Sequence, residues 1–233
     1  MVPLVGSELA RAALHLPVAF VRHGDALQPF AVAGLEPGVN LFIAHDGTWT
    51  GGYLPAALRT RPFALLPLQD GRRALCIDEQ AGRVGPQQGA TGHAFFSDQG
   101  KLSPALQPIM DLLSAVEENR EGTHQACLAL EAHGLLIPWE IELKTDTGLR
   151  RLEGLLRADE AKLNALPDDA FLQLRRSGAL PLAYAQLLSS PHIQALGQRA
   201  SARLRALQQP MTPVTPAGDL DLSFLERGDT LRF

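Results

Sequence analysis

The residues best equipped for chemistry lie between Asn40 and Phe63, in the run NLFIAHDGTWTGGYLPAALRTRPF. It gathers Phe42, Trp49, Tyr53 and Phe63 with His45, Arg59 and Arg61. A guanidinium beside aromatic rings can grip an anion through two parallel N–H bonds while its face stacks on a ring. His45 can serve as a base, with Asp46 to orient its imidazole, although Asp46 also suits the His45-Asp46-Gly47 turn. Trp49, Tyr53, Arg59, Arg61 and His45 are therefore the candidate ligand-binding residues. The competing reading makes Trp49 and Tyr53 core and pairs the arginines with carboxylates such as Glu140 or Glu142.

Elsewhere the sequence carries none of the familiar catalytic signatures. It has no GxSxG elbow, HExxH helix, Walker loop or GxGxxG turn after a strand, and no paired CxxC clusters for zinc. The histidines are scattered; His124 and His133 lie nine apart, which is not the spacing of two ligands on one helical turn. Cys76 and Cys127 are the only cysteines. Two thiols do not make a disulfide framework; no basic residue closely flanks Cys127 and Cys76 lies in an apolar strand, so neither is read as activated and both are expected reduced. No catalytic residue, metal or cofactor is assigned, and whether the chain is an enzyme stays open.

Composition narrows the function classes. In 233 residues, 45% are hydrophobic and 20% charged, which excludes general disorder. A net charge of −4 and 6% aromatics argue against a nucleic-acid or polybasic membrane binder. No stretch approaches the ~18–20 apolar residues that span a bilayer. The segment Met1–Ala13 carries Glu8 and Arg11 and has no signal-peptide core. The expected location is cytoplasmic, with non-classical export to the cell surface left open.

The elements that must position the aromatic and arginine run are mostly short. Ser7 is expected to cap a helix to Leu14, followed by a hairpin of Val18–Arg22 and Phe30–Ala33. Asn40–Ala44 and Thr48–Tyr53 are expected to pair as short strands. Phe63–Leu68 and Ala74–Ile77 flank an Asp70-Gly71 turn. Residues 82–100 read as a loop that borders a site. Ser103-Pro104 opens a helix with a stripe at Leu106, Ile109, Met110, Leu113 and Val116. The charged run 117–122 is expected to break it, with a restart at Thr123 and a stop at Gly134. Ile137, Trp139, Ile141 and Leu143 alternate with polar residues as one strand, with Pro138 marking an edge or bulge. Four short helices follow, opened by Asp159, Pro167, Pro181 and Ser190-Pro191. The last has an apolar stripe through Ile193, Leu196, Ala200, Leu204 and Leu207, with Arg199, Arg203 and Arg205 on its other side.

These elements predict an α+β fold, a mostly antiparallel sheet with a covering helix and a C-terminal helical cap. The expected organisation is an α+β core over 1–157, a helical cap of the same domain over 158–208, and a Pro-rich linker with an acidic, apolar tail over 209–233. In that tail Leu220, Leu222 and Phe224 alternate with acidic residues, and Leu225 follows. Leu220, Leu222, Phe224 and Leu225 are the candidate partner-binding residues, since such a peptide can add to a sheet edge of another protein or a second copy.

The order of several short segments resembles the SapC family of bacterial proteins, often described as S-layer related. Those segments are Glu8-Leu9, Leu16-Pro17-Val18-Ala19-Phe20, Asn40-Leu41-Phe42, Asp46-Gly47-Thr48-Trp49, Tyr53-Leu54-Pro55-Ala56, Pro62-Phe63 and Cys76-Ile77-Asp78. Gly154-Leu155, Lys162-Leu163-Asn164-Ala165-Leu166 and the run from Leu174 to Pro181 continue it, over roughly residues 3–207. The chain departs from the pattern at Ala44 and at Thr60-Arg61, so no acidic or tyrosyl role is carried over to those positions. The resemblance implies a bacterial protein and brings no established reaction. Three functional readings follow: a non-catalytic accessory or binding protein that takes a protein partner or small ligand, an enzyme or enzyme partner with an Arg/aromatic pocket around 40–63, and a surface-layer structural subunit.

Overall fold

The computed structural model describes residues 1–81, 93–97, 99–146 and 148–208. Strand β1 (Val2–Pro3) leads into helix α1 (Gly6–Ala12). Ser7 does not cap this helix. Val5 is the entry residue, and the first N–H groups are met from outside. Gly6 N–H donates to Thr123 Oγ1 at 2.7 Å and Ser7 N–H to Asn119 Oδ1 at 3.0 Å. A helix start leaves several donors orphaned, and a second helix supplies the acceptors here.

Strands β2 (Val18–His23) and β3 (Ala26–Ala31) form the first hairpin, with Gly24 at φ 57° in the turn. The segment from Asn40 to Tyr53, expected as two strands, is instead a loop with one bridge, Ile43 to Trp49. Asn40 Oδ1 accepts the Phe42 N–H and Asp46 Oδ1 the Thr48 N–H, so side chains take backbone donors a ladder would need. A single helical turn, α2 (Ala56–Arg59), precedes the hairpin β4 (Phe63–Pro67) and β5 (Arg73–Ile77). Residues 82–92 and 98 of the expected loop lie outside the described residues.

Helix α3 (Gln107–Ala132) runs unbroken through residues 117–122. The charges there support it: Arg120 pairs with Glu117 at 2.6 Å, and Gln125 donates to Glu121 at 2.8 Å. Gly122 faces open space and costs the helix only its weak propensity. The expected single strand over 137–144 splits into β6 (Leu136–Pro138) and β7 (Ile141–Thr145), which belong to different sheets. The chain then returns as two strands, β8 (Gly148–Leu152) and β9 (Leu155–Ala158), on either side of Gly154 at φ 75°. Helices α4 (Glu160–Asn164), α5 (Asp168–Arg176), α6 (Ala179–Ser189) and α7 (His192–Gln208) close the described chain.

The result is α+β. The main sheet is antiparallel throughout, in the order β1-β3-β2-β9-β6, and β6 with its Pro138 sits at an edge. Helices α3 and α6 pack on it and on each other, with α1 against both. Val18, Ala19, Phe20 and Val21 are all buried, so both faces of the central strand are covered. One large core takes residues from the sheet, α1, α3, α6 and α7. A smaller cluster of Phe63, Leu106 and Leu113 sits under the β4–β5 hairpin.

Strands β2 and β9 pair only at Phe20–Leu156 and Val21–Leu155. Beyond that point α6 supplies the missing partners. Gln186, fully buried, accepts the Ala158 N–H at 2.9 Å and donates to Val18 O at 3.4 Å; Ser189 Oγ accepts the Val18 N–H at 3.0 Å. Cys127 is buried, which pushes its thiol up to about 12; Cys76 is half-buried in β5, and both are free.

Candidate functional site

The loop over residues 40–55 holds its aromatic residues from within. Phe42 is buried and stacks on Trp49, with ring centroids 5.5 Å apart and planes 27° apart. Trp49 Nε1–H donates to Tyr53 O at 3.1 Å, and Thr50 N–H to Phe42 O at 2.7 Å. The two glycines between them are required by crowding. A Cβ on Gly51 would stand 2.8 Å from the Trp49 indole, and one on Gly52 would stand 2.4 Å from the His15 ring. Asp46 is fixed by the Thr48 backbone N–H, which holds its carboxyl below the usual carboxylate range.

This loop faces two different environments. On one side it locks onto α1. Glu8, only 6% exposed, accepts from Tyr53 O–H at 2.8 Å and from Ala56 N–H at 2.7 Å through Oε1, and from Val5 N–H at 3.3 Å through Oε2. A buried carboxylate is tolerable only when its lone pairs are met, and here three donors meet them. Burial, then the hydrogen bond to Glu8, pushes the Tyr53 phenol up to about 12. The Arg59 guanidinium stands 5.9 Å from the Tyr53 ring centre. The arrangement is a closed polar joint.

On the other side the loop and α7 enclose a groove of about 410 Å³. Its floor is apolar, with Leu41 and Ile43 from the loop and Ala202 and Ala206 from the helix. Residues 199, 202, 203 and 206 share one helical face, and Ile193 and Leu196 belong to the adjoining stripe, which is buried in the core. Gly197 lets α7 lie close on β7, since a Cβ there would stand 3.1 Å from Lys144 O. At the rim, the Arg199 guanidinium lies 4.4 Å over the Phe42 ring and donates to Thr50 Oγ1 at 3.0 Å. Arg203 donates to Asn40 O at 3.2 Å. Among the described residues neither arginine meets a carboxylate, so most of their N–H donors are unspent. His45 also borders this groove.

The five candidate residues are thus distributed over three places. His45 lines the α7 groove. Trp49 and Tyr53 are half-buried and engaged in the loop, with Arg59 beside Tyr53. Arg61 is exposed and pairs with Asp78 at 3.5 Å, next to the β4–β5 hairpin. Glu142, weighed as an arginine partner, pairs with Arg151. Leu220, Leu222, Phe224 and Leu225 lie outside the described residues.

Sequence reasoning set Arg199 and Arg203 on the outer face of the last helix without connecting them to the loop. Only their four-residue spacing, with alanines at 202 and 206, signalled a shared surface. Nothing local marked Glu8 as the acceptor for Tyr53.

Among the described residues no helix is long and apolar enough to cross a membrane. A family model described as SapC matches residues 1–196 of the chain. Neither a curated protein nor a solved structure matches it.

Proposed function

The chain belongs to the SapC family, and from that premise we propose that it is a non-catalytic accessory or binding protein whose ligand is a small anion carrying an apolar body. The reading rests above all on Arg199, stacked on Phe42 and tethered to Thr50 beside the groove of about 410 Å³. A guanidinium held this way by neutral groups keeps its charge and its remaining donors for an incoming carboxylate or phosphate. Arg203 adds a second cation one helical turn away. The apolar floor between Leu41, Ile43, Ala202 and Ala206 suits a short alkyl chain. Such a mixed lining, mostly apolar with a few fixed polar groups, is typical of small-molecule sites.

The test is calorimetric titration of the full chain with octyl phosphate below its micelle concentration, with octanol and inorganic phosphate as comparisons. Octyl phosphate is expected to bind more tightly than either. Arg199→Gln and Arg203→Gln are each expected to weaken it about tenfold, the size of one lost charge-assisted hydrogen bond. Equal binding of octanol, or affinity indifferent to both substitutions, overturns the reading.

A further inference from the structure

Leu41 and Arg203 also line a second, adjoining hollow of about 180 Å³, together with Leu35, Val39, Leu204 and the pair Glu36 and Arg150. Both hollows are apolar, and Arg199, Arg203 and Arg150 stand along them. Arg150 is paired with Glu36 at 3.3 Å; Arg199 and Arg203 are not paired with a carboxylate among the described residues. Two adjoining, mostly apolar hollows with a cationic rim match an extended peptide that is apolar on one side and acidic on the other. The chain carries such a peptide just beyond α7. Leu220, Leu222 and Phe224 fall at every second position, with Asp219 and Asp221 between and beside them, and residues 219–233 carry a net charge of −2. In an extended chain alternate side chains point to opposite sides, so such a segment laid in the groove would turn its apolar set down and its acids to the rim.

We propose that residues 219–225 of this chain occupy the α7 groove of the same molecule and compete there with the anionic ligand. This rests on the ligand-binding reading of the groove. Chain length permits the fold-back. Eleven residues separate Gln208 from Leu220, with prolines at 210, 213 and 216. Extended, they reach ~34 Å. The distance to be retraced along α7 from Ala206 to Arg199 is only ~10 Å at helical rise. A tethered peptide reaches millimolar effective concentration, so even a peptide of ~100 μM intrinsic affinity fills the groove about nine-tenths of the time.

The test compares the full chain with the full-length variant Leu220→Ser/Leu222→Ser/Phe224→Ser, which leaves residues 1–208 untouched. Octyl phosphate is expected to bind the variant about tenfold more tightly than the unsubstituted chain. Amide exchange over residues 41–50 and 199–206 is expected to be slower in the unsubstituted chain, and both proteins are expected to sediment as monomers. If the probe binds, weakens with Arg203→Gln, and shows no gain in the tail variant, the tail proposal falls and the groove reading stands. If the probe binds neither protein, the groove reading falls and the competition with it, and exchange decides occupancy alone: equal exchange rejects it, slower exchange in the unsubstituted chain upholds it. Tail-dependent protection that appears only with concentration-dependent dimerisation assigns the peptide to a second copy and overturns the intramolecular form.

Discussion

The loop over residues 40–55 meets α1 and α7 with the same kinds of residue and to opposite ends. Against α1, an aromatic hydroxyl and two backbone N–H groups converge on one buried carboxylate, Glu8. Against α7, an aromatic ring and a hydroxyl hold a guanidinium, Arg199, that meets no carboxylate among the described residues. The first junction spends its polar groups on stability. The second withholds them. The difference lies in the balance of donors and acceptors, and it separates a joint from a site more sharply than residue type does.

The comparison breaks most easily at the residue between the Trp49 ring and the Arg199 guanidinium. Phe42→Ala removes a buried ring that stacks on Trp49 and carries Arg199. It is expected to cost about 4 kcal/mol in urea unfolding and to abolish octyl phosphate binding. Next comes Glu8→Ala, which orphans Tyr53 O–H and Ala56 N–H. A loss of about 3 kcal/mol is expected, with Glu8→Gln losing less because an acceptor oxygen remains. Retained groove affinity in Glu8→Gln would sharpen the separation of joint from site; a parallel loss would break it.

Tyr53→Phe is expected to cost about 1 kcal/mol near neutral pH. Its pH dependence has a definite sign. The folded phenol ionises near 12, against about 10 for an unfolded tyrosine. Its contribution is therefore complete below about pH 10 and is lost as pH rises through about 12. The difference in thermal midpoint between the wild-type chain and Tyr53→Phe should shrink across that window. The smallest stability effect is expected from Arg203→Gln, within about 0.5 kcal/mol because the side chain is exposed. A large destabilisation there would make the α7 contact a second joint and remove the contrast.

Much of the architecture is legible in local sequence. The β2–β3 and β4–β5 hairpins follow from their Gly-containing turns, and Asp159 caps α4 by accepting the Lys162 N–H at 3.1 Å. Gly134, at φ 62°, ends α3 as its position indicates. The failures are tertiary. The regular alternation over Ile137–Leu143 is genuine, and Ile141 and Leu143 are buried, yet the chain passes from one sheet to another at Trp139–Glu140. Periodicity records which face is apolar and is blind to which sheet owns it. The charged run in α3 reads as a break because propensity ignores the partners that Glu117 and Glu121 find one turn away. The groove was least legible of all, since it needs Phe42 and Arg199 to meet across most of the chain.

The middle of the main sheet is stitched by an amide and a hydroxyl from α6 where backbone pairing gives out. Ordinarily a sheet shields its own seams, and its central amides open only with global unfolding. Here the N–H groups of Val18 and Ala158 answer to a helix. Their protection from solvent is expected to follow the lifting of α6, so the strand pairs β3–β2 and β9–β6, joined directly at two residue pairs, are two leaves of one book with a helical binding.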